Sequence, residues 1–191
     1  MGYAISWLAV KQEMATRLLE AFGLQPTGET AEYGERLFTG RTLSTGWFLL
    51  FINQANHNYV SAQTLEALTG LGDVVMCSVE EHVMVSNAEG WRDGTEVWRL
   101  AHDAERGLGH LLVEGTPPKA YKEIEARLRA RLEEDGGEDA DVETDYLFDI
   151  PVETAQSVVG FKHDAPGGED TCFTVYARGS ADGKKPWWKV W

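Results

Sequence analysis

The chain has 191 residues, with 17 Lys and Arg against 31 Asp and Glu, a net charge of −14 and 43% hydrophobic residues. That balance argues against a natively disordered chain, which is poorer in apolar side chains. It also argues against wrapping nucleic acid or adsorbing to an anionic membrane, because both need a cationic surface. A chain of this size buries enough surface to fold without a metal or a disulfide. Cys77 and Cys172 each lie in an apolar run with no CxxC neighbour, so both read as core thiols. The start "MGYAISWLAVKQE" has neither a basic leader nor an apolar stretch of export length, and a cytoplasmic location is expected.

In chain order, "YAISWLAVK" predicts a strand over 3–10, with Tyr3, Ile5 and Trp7 on one face. "QEMATRLLEAFG" predicts a helix whose Met14, Leu18 and Phe22 step by four and whose stop is Gly23. Residues 24–45 carry little periodicity and read as loop with short elements. "WFLLFI" at 47–52 is too apolar for a half-wet strand and reads as central. "SAQTLEALTG" predicts a short helix with Ser61 as N-cap.

A three-stranded meander is expected next, over 73–86, 95–103 and 108–114, joined by "NAEGWRDG" and "AERG". Residues 119–134 form the clearest helix, with Tyr121, Ile124, Leu128 and Leu132 in one apolar line, expected to cover a sheet face. Residues 133–145 hold eight acidic residues in thirteen and read as a mobile surface loop. "DYLFDIPV" resumes alternation and predicts a strand, as does "TCFTVYARG". The fold class expected is α+β, a single domain over 1–191, with a mixed, largely antiparallel sheet and helices packed on it.

Functional candidates centre on the meander. In "SVEEHVMVS" the carboxylate of Glu81 interrupts a β-branched face, which is costly unless it is paired or turned outward. Arg92, Arg99 and Arg106 are the local cations. His82, His102 and His110 are the candidate metal ligands, since three imidazoles and a carboxylate suit zinc or iron. Their convergence depends on the register around "AERG". With Asp103 opposite Leu108 the rings diverge; with His102 opposite Leu108 they share a face.

"NQANHNY" puts Asn53, Asn56 and His57 after an apolar strand, where loops collect ligand groups. His57 is the first choice for an acid or base, with Glu80 or Glu81 as its carboxylate. Trp187, Trp188 and Trp191 crowd the last five residues beside lysines and suit a docked strand or a partner contact.

No GxSxG, HExxH, P-loop or dinucleotide fingerprint is present. The expected function is therefore a small cytoplasmic binding or interaction protein without catalytic activity or cofactor. Its expected partner is a basic protein or a second copy of the chain, not nucleic acid or membrane. The alternative is a metal-assisted hydrolase built on the His/Glu cluster.

Overall fold

A computed structural model describes residues 2–137, 144–165 and 172–179. Among them nine strands form one sheet: β1 Ala4–Lys11, β2 Leu24–Ala31, β3 Phe38–Thr42, β4 Trp47–Ile52, β5 Asp73–Glu80, β6 Val85–Arg92, β7 Thr95–Asp103, β8 Leu112–Gly115 and β9 Phe173–Arg178. The helices are α1 Ala15–Phe22, α2 Ala62–Ala67, α3 Tyr121–Glu134 and α4 Asp149–Val159. The strands lie in the order β2-β9-β3-β4-β1-β5-β6-β7-β8. The α+β class holds, but the sheet is not mixed, because every strand pair among the described residues is antiparallel.

The centre of the sheet is buried on both faces, as the continuous apolar run in β4 requires. Trp7, Leu49, Phe51, Val75 and Val79 share one core with α3 and α4. Leu8, Val10, Leu50, Ile52 and Met76 share the other with Leu18 and Phe22 of α1 and Leu65 of α2. Each such side chain contributes roughly 1.5–3 kcal/mol on burial. α4 seats on β5, β6 and β7, and α3 packs on α4. Tyr121, Leu128 and Leu132 of the long helix are buried in the same core as the sheet residues and α4.

Punctuation decides the local boundaries. Gly23 ends α1 at φ 65°, a left-handed conformation that glycine enters freely. The Ser61 hydroxyl accepts the Thr64 N–H and starts α2.

Four predicted segments differ. Residues 24–45 contain β2 and β3; β2 is exposed along most of its length, so no apolar alternation marks it. "DYLFDIPV" does not continue as a strand. It enters α4, where Pro151 sits in the first turn and Ile150, Val152, Ala155 and Val159 are buried. Burial overrides the low helix propensity of this β-branched stretch.

The meander region holds four consecutive strands rather than three. β5 stops at Glu80, residues 81–84 turn, and most of the supposed connector "NAEGWRDG" is β6. Only its last two residues turn, with Asp93 at φ 47° and Gly94 at φ 78°, as a type I′ hairpin demands. Finally, Ala101 pairs with Leu112, which fits neither register expected around "AERG". The β7–β8 connection is longer, and His110 belongs to it rather than to a strand. Trp187, Trp188, Trp191 and residues 138–143 of the acidic loop lie outside the described residues.

Candidate functional site

The chain leaves β4 at Ile52 into the amide-rich loop. Asn53 braces that loop: its Nδ2 donates to the Gly34 carbonyl at 2.6 Å and its N–H to Leu37 at 2.9 Å. Asn56 stands at φ 50°, uncommon for a residue with a Cβ though easiest for Asn, and its N–H donates to Ser78 Oγ at 3.1 Å. His57 is nearly buried. Its Nδ1 accepts the Tyr59 N–H at 3.1 Å, so the single ring proton sits on Nε2. Burial, and next the nearby Arg178 charge, hold its pKa below the usual histidine value.

This loop forms one wall of a cleft of about 320 Å³, lined by Asn56, His57, Ser61, Ser78, Asn87 and Glu89, with Met76 and Val60 as its apolar part. Ser78 is no free nucleophile. Its Oγ accepts from Asn56, lies 3.0 Å from Ser6 Oγ and 3.3 Å from the Ile5 carbonyl. Cys77, next along β5, is fully buried in the opposite core, and burial pushes its thiol far up.

Glu89 is the residue that sequence reasoning missed. It lies opposite Met76 on β5 and Arg99 on β7. It is 8% exposed. Its Oε2 accepts the Trp91 indole N–H at 2.8 Å. Arg99 Nε stands 3.2 Å from its Oε1, and the same guanidinium reaches Glu96 at 2.5 Å and Glu114 at 4.0 Å. Burial raises the Glu89 pKa; the bonds to Trp91 and Arg99 offset only part of that, and Glu96 adds to it. Reading "NAEGW" as a strand would have revealed it, because alternation puts Asn87, Glu89 and Trp91 on one face.

The other candidates disperse. Glu81 is in the turn, not on the valine face. Its Oε2 accepts the Tyr3 N–H at 2.8 Å and its Oε1 lies 3.1 Å from His163 Nε2. Its partner is therefore His163, not an arginine and not His57. Glu80 pairs with exposed His82 at 2.7 Å. His102 is fully buried between the His110 carbonyl, 2.7 Å from Nδ1, and Asp145 Oδ2, 2.8 Å from Nε2. His110 Nδ1 accepts the Asp103 N–H at 3.0 Å.

The rings of His102 and His110 are 6.1 Å apart, so the structure does bring those two together. Both His102 nitrogens are already bonded, however, and His82 is occupied by Glu80. Among the described residues no three His, Cys, Asp or Glu side chains gather as a metal would require. No helix among them is long and apolar enough to cross a membrane. No family model, curated protein or solved structure matches the chain.

Proposed function

We propose that the chain is a binding protein without catalytic activity, and that the Glu89 cleft receives a basic side chain from a protein partner. The observation behind this reading is the charge around Arg99. One guanidinium faces the carboxylates of Glu89, Glu96 and Glu114, so +1 against −3 leaves −2. The most buried of the three, Glu89, lines the cleft. Burial raises its pKa, and the Trp91 bond and the Arg99 charge offset only part of that. A lysine or arginine stem would lie along Met76 and Val60, with its head at Glu89 and the Asn56 and Asn87 amides. The net charge of −14 would speed the approach of such a partner.

The metal-assisted hydrolase has less behind it. His57 is separated from Glu80 and Glu81 by their other pairings, and Ser78 and Cys77 are tied up or buried.

The test is titration of the full chain with a short peptide carrying one central arginine, and with the same peptide carrying citrulline. The Trp91 indole N–H resonance is the reporter, because it bonds to Glu89. The arginine peptide should shift it saturably, more tightly as pH rises above the ordinary carboxylate range, and the citrulline peptide should not. Equal binding of both peptides, or undiminished binding by Glu89→Gln, would reject the proposal.

A further inference from the structure

We propose that a second pocket, adjoining the first at His57, binds a planar aromatic carboxylate. This pocket measures about 500 Å³ and is lined by Leu37, Phe38, His57, Tyr176, Ala177 and Arg178. Its size falls in the range of small-molecule sites, and its lining is of the usual kind, mostly apolar and aromatic with few polar groups. It differs from the Glu89 cleft in sign. No carboxylate lines it, and among the described residues none lies within ion-pair distance of Arg178.

The cation is held in place. Arg178 Nε donates to the Tyr59 hydroxyl at 3.1 Å, and the guanidinium carbon stands 5.5 Å from the Tyr59 ring centroid. Those contacts orient the fork, and among the described residues no hydrogen bond or ion pair takes its terminal nitrogens, the pair with which arginine can bind a carboxylate bidentately. His57, which also lines the pocket, carries its one ring proton on Nε2.

The walls select a flat, apolar body. Phe38 and Tyr176 are direct cross-strand partners on β3 and β9. The His57 ring meets Phe38 edge to face at 5.4 Å. Aromatic ligands gain from such edges and faces. A hydrated inorganic anion would leave these walls unused, and a neutral aromatic would leave the guanidinium unpaired.

The experiment is calorimetric titration of the full chain with 2-naphthoate and with neutral 2-naphthylmethanol. Naphthoate should bind saturably and at least tenfold more tightly than the alcohol. Arg178→Gln should weaken naphthoate by roughly tenfold or more, the effect expected when one charge-assisted bidentate contact is lost. It should leave the alcohol unchanged. The Tyr59 hydroxyl still donates to the Phe22 carbonyl in that variant, so its fold has a reason to persist. If Arg178→Gln fails to fold, the two ligands on the unmodified chain decide the matter alone. Equal binding of acid and alcohol, or no saturable naphthoate binding, overturns the proposal. Glu89→Gln should leave naphthoate binding intact, so loss of the basic-partner reading and loss of this one are separable.

Discussion

His102 allows a worked prediction about charge in the core. Its two ring nitrogens face two acceptors, the Asp145 carboxylate at 2.8 Å and the His110 carbonyl at 2.7 Å. A neutral imidazole has one N–H and can satisfy only one of them. Only imidazolium satisfies both, in a side chain with no exposure against a carboxylate that is 6% exposed. Burial alone would lower the pKa; the hydrogen bonds to Asp145 and His110 outweigh it, and the pKa is raised. A raised histidine pKa stabilises the fold fully below the unfolded value, near 6.5, and the contribution fades as pH climbs through the folded value.

Removing one partner of a buried pair costs roughly 3–5 kcal/mol. Asp145 Oδ1 also accepts the Phe148 N–H at 3.2 Å ahead of α4, a contact worth about 1 kcal/mol if it acts as a helix cap does. Asp145→Ala should therefore lose about 4–6 kcal/mol at pH 6. At roughly 2–4 °C per kcal/mol for a chain of this length, the melting temperature should drop by about 8–24 °C. The assay is urea denaturation from pH 5.5 to 9, alongside nitrogen-15 spectra of the imidazoles. The unmodified chain should weaken across the upper part of that range, and Asp145→Ala should show less of that decline. A His102 ring with one bare nitrogen at pH 6, or a variant within 1 kcal/mol of the parent, would refute the reasoning.

Three more predictions follow from single contacts. Glu89 has a raised pKa, so it makes the fold less stable as pH climbs from the ordinary carboxylate value near 4.5 through its own; Glu89→Gln should flatten that slope and match or exceed the parent in urea at pH 7. A Cβ at Gly90 would stand 2.0 Å from Trp98 Nε1, so Gly90→Ala should cost about 1–3 kcal/mol or more and shift the tryptophan emission. Cys172 is exposed and Cys77 is buried with its thiol pKa pushed up, so a thiol reagent should label one cysteine quickly and the second only on unfolding.

What could be read from the sequence was whatever carried its own local signal. The run "WFLLFI", the Gly23 stop and the Ser61 cap all announce themselves within a few residues. "DIPVETAQSVV" does not, because its helical state is set by the core it packs into. The site was half legible. Asn56 and His57 do line a cleft, but its charged wall, Glu89, was hidden by reading a strand as a loop. The turn at 81–84 takes Glu81 off the valine face to His163 and leaves His82 with Glu80. Pairings such as Glu81 with His163 join residues 82 positions apart, which no local pattern encodes.

The position of β9 between β2 and β3 sets a timetable for synthesis. Among the described residues β2 pairs with β9 alone, Leu24 opposite Arg178, so synthesis must reach Arg178 before that flank can zip together. Until then one early segment waits unmatched while the strands from β3 through β8 already have all their other companions.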